Sequence, residues 1–429
     1  MILQLTKLEG DATVLVTTSV RLGSKLVTEE KMMSSAKFTP IVTIHTALTS
    51  AALSVLLLIA APSAHAQTGT VLYNFSGGSD GAYPHASLTS DGKGNFYGTT
   101  TNGGEYGAGA VFELSPNGGS WDETVLYSFN GTDGSNPSAN VIFDSAGNLY
   151  GTAQTGGSKE GGVAFELTPV GKRWKITILY NFPSSVNGSL PNTGLVMDSA
   201  GNLYGTTAGN DTQHDGTVFQ LIPNGNKSTE KVIYTYPRVG PNYAGLTIDA
   251  AGNLFGVQNQ EKVFELSPNG GTWIATIIHG FTATSDIYGS PVLDPAGNIY
   301  GTTQGGGAHG FGSVYKLTLG ANEKWTEKVL YSFEGGSDGN APRAGVTLDA
   351  AGNVYGTTSL GGPDNLGTVF ELVAPVGKGD YTEKVLWSFN GADGSLPYAS
   401  VIQDSADNLY GTTSAGGSGG AGVVFEVTP

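Results

Sequence analysis

The chain contains no cysteine and few charged or histidine residues. Among its 429 residues none is Cys, 6 are His and 13% are Asp, Glu, Lys or Arg, about half of the usual share of charged residues. The absence of cysteine excludes disulfides, thiolate metal sites and thiol catalysis, although it does not fix the cellular compartment. The histidines are scattered without ligand spacing, so no zinc site is predicted.

Helix-length apolar runs with a period of 3.6 residues are also missing from residue 67 onward. Glycine is abundant instead, with 66 residues, and hydrophobic residues make up 39% of the chain. Glycine and proline together stay below the share that is typical of low-complexity disorder, and no Gly-X-Y period exists, so collagen is excluded. This composition favours a globular all-β protein with many turns.

Residues 32–66 have the pattern of a signal peptide for export. A weakly basic start at Lys37 precedes an apolar run of 15 residues, Ala47 to Ala61, and Ala64-His65-Ala66 fits the small-x-small rule for signal peptidase. The run is short for a membrane span, which needs roughly 20 residues. We expect a cleaved signal, with a retained anchor helix as the alternative.

Residues 1–31 resemble neither the signal nor the sequence that follows. They are polar and mixed in charge, whereas Met32 and Met33 stand where a signal peptide should begin. We interpret 1–31 as an upstream extension that was assigned to the gene in error, with translation starting at Met32. The remaining residues, 67–429, then form the folded domain.

One unit recurs seven times in this domain, which predicts a repeat architecture. Its marker is Asn-apolar-aromatic-Gly, preceded four residues earlier by Asp, and consecutive copies begin 45 to 55 residues apart. The Asn residues are Asn95, Asn148, Asn202, Asn253, Asn298, Asn353 and Asn408. Each unit holds four short apolar strands separated by turns rich in Gly, Asn, Asp and Pro.

Seven four-stranded units describe a seven-bladed β-propeller with antiparallel blades. The domain opens with a lone strand of the fourth type, at residues 70–75, and ends with a strand of the third type, Val423 to Val427. Pairing these two strands would complete the last blade and close the ring. An open β-solenoid is the alternative, but it would not need complementary half-units at its two ends.

The repeats resemble the GloVer tandem repeat of bacterial "choice-of-anchor" proteins. The resemblance rests on Phe-x-Gly-x-x-Asp-Gly-x-x-Pro, Asp-x-Ala-Gly-Asn-Leu-Tyr-Gly-Thr-Thr and Gly-x-Val-Phe-Glu-Leu, and the best copies are Phe333 to Leu372 and Phe389 to Val427. It extends over about 70–429. The resemblance implies export and a repeat domain but no catalytic residues. Since no anchoring segment follows the last repeat, we expect a secreted or periplasmic protein.

One position varies where its neighbours repeat almost unchanged. It precedes the small residues of each innermost strand, at one mouth of the expected central channel, and is occupied by His85, Ser138, Asn192, Tyr243, Tyr288, Arg343 and Tyr398. Function in repeat folds concentrates on such mouths. These side chains could stack on and hydrogen-bond a sugar or a peptide; the alternative is solvated variation under no constraint.

Other motifs are better explained by turns than by chemistry. Gly-x-Ser-x-Gly at Gly77, Gly335 and Gly416 lies in loops, not on the strand-to-helix turn that a hydrolase nucleophile requires. The Asp-Gly loops, such as those at Asp80 and Asp133, supply one carboxylate each, whereas calcium needs about six to eight oxygens. Asx turns account for these loops without a metal.

These patterns favour an exported binding or interaction module, with extracellular polysaccharide or another surface polymer as its partner. The alternatives are a secreted carbohydrate-active lyase or hydrolase that uses the channel mouth, and a structural envelope protein without a small ligand. With 36 acidic against 20 basic residues, the chain would repel a phosphate backbone, so no nucleic-acid partner is expected. We expect a monomer without cofactor or metal.

Overall fold

The computed structural model describes the backbone of residues 2–7, 14–22 and 25–33 and, from residue 67 to 429, every residue except 185–186, 209–214, 237–242, 283 and 322. The chain divides into two units, Met1–Ala66 and Gln67–Pro429. The first contains three antiparallel strands paired in chain order: Ile2–Lys7, Val14–Leu22 and Lys25–Met33. The predicted signal sequence after Met33 lies outside the described residues, so both interpretations of residues 1–66 remain predictions.

The second unit is a ring of seven four-stranded antiparallel blades, which confirms the seven-bladed β-propeller. In order from the innermost strand, blade 1 contains Thr89–Ser90, Phe96–Thr100, Ala110–Asn117 and Ser120–Ser128. Blade 2 contains Ile142–Phe143, Leu149–Ala153, Glu160–Val170 and Arg173–Pro183. Blade 3 contains Val196–Met197, Leu203–Thr207, Gly216–Asn224 and Lys227–Tyr236. Blade 4 contains Thr247–Ile248, Leu254–Gln258, Lys262–Asn269 and Thr272–Gly280.

The remaining blades follow the same order. Blade 5 contains Val292–Leu293, Ile299–Thr303, Ser313–Leu319 and Trp325–Ser332. Blade 6 contains Thr347–Leu348, Val354–Thr358, Thr368–Val373 and Thr382–Ser388. Blade 7 contains Ile402–Gln403, Leu409–Thr413 and Val423–Thr428, and its outer strand is Thr68–Asn74. A single turn of 3-10 helix, Gly336–Asp338, follows blade 5.

The ring closes as the repeat pattern predicts. Thr68–Asn74 pairs with the third strand of blade 7, placing Val424 opposite Tyr73. Across the same joint, the Thr412 hydroxyl donates to the carbonyl of Ala86 in blade 1 at 3.0 Å. The first and the last strand of this domain thus belong to one blade, so the open solenoid is excluded.

The core between blades contains one aromatic ring from each third strand. This ring packs against a glycine in the second strand of the same blade. A Cβ added at Gly151 would lie 2.6 Å from Cζ of Phe165, and one added at Gly356 equally close to Phe370. Phe165 and Phe370 are fully buried. The Gly of each Gly-Thr-Thr step is therefore required because the ring of the paired residue occupies the space of its side chain.

The innermost strands differ from the sequence prediction. In blade 1 the residues that pair are Thr89 and Ser90, whereas the small residues that directly follow His85, which we expected within this strand, come before the paired part. The carbonyls of the small residues serve the adjacent blade instead: Thr99 donates its hydroxyl to Ala139 O at 2.9 Å. These carbonyls thus link neighbouring blades through hydrogen bonds from buried threonines.

Candidate functional site

The seven varying residues line one cavity of about 640 Å³, together with Thr101, Gln154 and Gln260. Because every blade contributes one of the seven, the cavity lies on the axis of the ring. The volume falls within the roughly 300–1,000 Å³ of typical ligand pockets. The structure thus brings together all seven residues that the sequence singled out, while their role in binding stays a prediction.

A strained turn of one shape presents five of the seven side chains to the cavity. These five turns place a non-glycine residue at positive φ directly before a proline, namely Tyr83, Asn136, Leu190, Ala341 and Leu396, with φ between 55° and 60°. Such a conformation costs about 1–3 kcal/mol and is disfavoured before proline. It persists only where the surroundings hold it.

Contacts with the preceding blade and with the second strand of its own blade hold the turn in place. The backbone N–H of Asn136 donates to the Ala108 carbonyl at 2.9 Å, and the backbone carbonyl of Asn136 accepts from the backbone N–H of Gln154 at 3.1 Å. The next residue, Pro137, fills the space beside Gly109, where an added Cβ would lie 2.5 Å from the proline Cδ. The mouth is therefore preorganised by backbone bonds and packing that do not depend on the identity of the varying side chain.

Five of the cavity residues form a continuous stack, here called the aromatic arc: His85, Tyr398, Arg343, Tyr288 and Tyr243. His85 and Tyr398 stack with ring centroids 5.4 Å apart, as do Tyr243 and Tyr288. The Arg343 guanidinium lies between the two pairs, 5.2 Å from the Tyr398 ring and 5.3 Å from the Tyr288 ring. The arc spans blades 4 to 7 and blade 1.

The other side of the cavity is formed by small polar residues of blades 1 to 3. This polar arc consists of Thr101, Ser138, Gln154 and Asn192. Their hydroxyl and amide groups can both donate and accept hydrogen bonds. The cavity therefore has one aromatic and cationic side facing one neutral polar side.

Charge in the cavity is positive and localised on one group. Arg343 is the only charged residue among those lining it, and none of them is a carboxylate. Burial lowers the pKa of His85 below its ordinary value, so its imidazole is neutral at neutral pH. Burial and the nearby Asp286 raise the pKa of Tyr288, which stays a phenol.

Sequence reasoning missed Thr101, Gln154 and Gln260. Thr101 and Gln154 follow the second strand at equivalent positions of blades 1 and 2. The equivalent position differs among blades, as Ala208, Gln304 and Ser414 do, so the same search for a varying position would have found it. Gln260 comes from the shortened loop of blade 4, where the repeat alignment fails.

The Asp-Gly loops use their carboxylates within the loop. Asp133 accepts from the Asn130 amide at 2.9 Å and from the Tyr127 hydroxyl. Asp393 accepts from the Asn390 amide at 2.8 Å and from the Trp387 indole at 3.1 Å. In the described part of the chain, no group of three or more His, Asp or Glu side chains is placed to hold a metal ion. No helix among the described residues is long and apolar enough to cross a membrane.

Comparison with solved structures shows the propeller fold. The periplasmic gluconolactonase of Pseudomonas aeruginosa is 13% identical with a TM-score of 0.50, and the match covers 71% of this chain and 84% of that one. A Bacteroides uniformis protein, provisionally described as a 6-phosphogluconolactonase, is 14% identical with a TM-score of 0.52, covering 74% and 88%. At such identity the likeness extends to the fold alone. No curated protein matches the chain significantly.

The sequence family is defined by the repeat itself. The Gloeobacter/Verrucomicrobia repeat matches residues 61–262 and 258–429. These two matches include all seven blades and the strand that closes the ring. The chain therefore belongs to the Gloeobacter/Verrucomicrobia (GloVer) repeat family.

Proposed function

We propose that this protein is a binding module whose axial cavity takes a segment of an extracellular polysaccharide. One observation carries the proposal: the positions that break the sevenfold repeat converge on one cavity, with an aromatic side facing a polar side. Residues 32–66 would direct the protein out of the cytoplasm, which N-terminal sequencing of the exported protein would check by starting at Gln67.

The chemistry of the cavity suits a sugar. A pyranose ring has an apolar face, which stacks on aromatic side chains, and a rim of hydroxyl groups that donate and accept hydrogen bonds. His85 and Tyr243 lie at the two ends of the aromatic arc, so each keeps a ring face that no other member of the arc covers. Ser138, Gln154 and Asn192 supply partners for hydroxyls. The rigid turns that carry these residues reduce the entropic cost of ordering the site.

Calorimetric titration of the full-length chain with a panel of soluble oligosaccharides tests the proposal. Replacing Tyr398 by Ala should weaken binding of any ligand found by about tenfold or more, because the aromatic arc loses the ring that packs between His85 and Arg343. Tyr106→Ala is the matched control, since Tyr106 is 59% exposed and lies in the loop after the second strand of blade 1, outside the cavity lining.

Three outcomes separate the alternatives. Binding that Tyr398→Ala weakens and Tyr106→Ala leaves unchanged supports the proposal. Breakdown of a bound oligosaccharide would replace it with a carbohydrate-active enzyme acting at the same mouth. Absence of binding across neutral and acidic oligosaccharides would contradict it and favour a structural envelope protein.

A further inference from the structure

Arg343 has the geometry of a carboxylate receptor. The Tyr398 and Tyr288 rings of the two neighbouring blades lie 5.2 and 5.3 Å from its guanidinium carbon. In the side-chain orientation of Gln304 that satisfies its hydrogen bonds, the Gln304 amide oxygen accepts from Arg343 Nη2 at 2.8 Å and from Arg343 Nε at 3.1 Å. A guanidinium has five N–H donors in a fixed fork. Gln304 takes two on the Nε side, which leaves the parallel pair on the Nη1–Nη2 edge for a bidentate ligand.

Arg343 forms no ion pair with a described carboxylate, and the Asp286 carboxylate that acts on the neighbouring Tyr288 does not line the cavity. The whole chain has a formal net charge of −16, yet none of the ion pairs between described residues includes Arg343. Lysines in the third and fourth strands behave differently: Lys384 lies 3.0 Å from Glu371, and Lys316 lies 3.7 Å from Asp294. A cation held in a cavity lined by no carboxylate is a site where an incoming anion gains a charge-assisted hydrogen bond.

The number of cations favours a singly charged group over a dianion. The cavity lining contains one arginine, and the His85 imidazole beside it is neutral because burial lowers its pKa. A phosphate monoester carries a charge of about −1.5 to −2 at neutral pH. One cation in a strongly acidic protein compensates a carboxylate but only part of that charge.

Building on the proposed function, we infer that the ligand is an acidic saccharide whose uronate carboxylate pairs with the Nη1–Nη2 edge of Arg343. The sugar ring then lies along the aromatic arc, and its hydroxyls face the polar arc on blades 1 to 3. The two unlike sides of the cavity thus set the direction in which the saccharide enters. Gln304 is a positioning residue, since it fixes the plane of the guanidinium without facing the ligand.

The experiment compares a galacturonate oligomer with the same oligomer after methyl esterification of its carboxyl groups, titrated into the full-length chain. Removing the charge should weaken binding by about 10–100-fold, the range of a hydrogen bond to a charged group. Arg343→Lys keeps the charge and loses the fork, so it should lose most of that preference. Arg173→Ala, at an exposed arginine in the outer strand of blade 2, should bind like the parent chain.

The outcomes distinguish this inference from the proposed function. Equal binding of the acidic and esterified oligomers, or a preference that survives in Arg343→Lys and Arg343→Gln, overturns the inference and leaves saccharide binding standing. Tighter binding of a sugar phosphate than of the uronate also overturns it. If neither oligomer nor any neutral saccharide binds, the proposed function itself fails. Thermal denaturation of each variant confirms that the folded state is intact.

Discussion

The hairpin formed by the first and second strands of each blade has two ends that follow different rules. At the turn, an Asp binds the chain in the same way in every blade: Asp144 accepts from the Ala146 amide at 2.9 Å and from the Asn148 amide at 2.8 Å. At the mouth, the backbone turn is the same in five blades, but the side chains differ from blade to blade. The Asp of the turn is the same in every blade because its side chain holds the backbone. At the mouth, backbone contacts hold the chain, so the side chain is left to contact a ligand.

This separation explains how a rigid ring can hold a varied site. The turn that carries Ser138 is fixed by the Asn136 amide, the Asn136 carbonyl and the packing of Pro137 on Gly109. None of these contacts involves the Ser138 side chain. Substitution at the mouth should therefore change binding at little cost in stability, while substitution in the frame should do the reverse.

Filling the space of a second-strand glycine should give the largest loss of stability. Gly151→Val would place atoms within about 2.6 Å of the fully buried Phe165 ring, and we expect a loss of about 3 kcal/mol or more from overpacking. Thermal and urea denaturation measure it. Adding Phe165→Leu should recover part of the loss.

The matched control is Gly280→Val in the outer strand of blade 4, where the nearest atom to an added Cβ is Lys262 Cγ at 4.0 Å. It should change stability by no more than about 0.5 kcal/mol. If both glycine variants are equally stable, the packing account of the repeated glycine is wrong.

Opposite ends of a single hairpin in blade 2 provide the next comparison. Asp144→Ala removes the acceptor for the Ala146 and Asn148 amides and should cost about 1–2 kcal/mol at neutral pH, allowing for solvent near the turn. Ser138→Ala, at the mouth of the same hairpin, should cost less than about 0.5 kcal/mol. Denaturation midpoints measured side by side give both values.

The effect of Asp144→Ala should also depend on pH. Partial burial alone would raise the pKa of Asp144, but hydrogen bonds from Asn148 and Ala146 outweigh burial and hold the pKa below its ordinary value of 3.8. A carboxyl with a lowered folded pKa stabilises the fold above pH 4 and loses that contribution as the pH falls below it. The cost of Asp144→Ala should therefore shrink between pH 4 and pH 2, and a constant cost would contradict this.

The sequence was sufficient to predict the blades, the closure and the varying ring, because each follows from a period or from complementary chain ends. It could not predict that Ala139 O bonds to Thr99 of the neighbouring blade, since that contact depends on how blades are placed around the axis. The same limit hid the stacking of Arg343 between Tyr288 and Tyr398, which are adjacent only in the closed ring. Contacts within a blade can be predicted because their residues recur at fixed spacing in the sequence, whereas contacts between blades leave no such pattern.

Variation also occurs at the outer rim, where it concerns stability and not binding. The fourth-strand residue opposite the third-strand Leu is Ile176 in blade 2, Glu327 in blade 5 and Glu383 in blade 6. Glu327 lies 3.1 Å from His279 of blade 4. Glu383 instead faces Asp338 of blade 5, and its Oε1 is buried without a hydrogen-bond partner among the described residues. Varying positions thus need a shared cavity before they indicate a ligand.

Replacing Glu383 should give the smallest effect, with the opposite sign. Burial and the charge of Asp338 raise the pKa of Glu383 from 4.5 to about 7. The folded chain therefore holds a proton that the unfolded chain has released, so stability falls as the pH rises from 4.5 to 7. Glu383→Gln, which cannot ionise, should be more stable than the parent chain by about 1 kcal/mol at pH 8 and unchanged near pH 4.5.

Glu327→Gln, at the same strand position but paired with His279, should show no gain at pH 8. Melting temperatures at both pH values measure the difference. A gain for Glu383→Gln that is equal at the two values would mean that folding does not change the pKa of Glu383, which would contradict the effect of burial and Asp338.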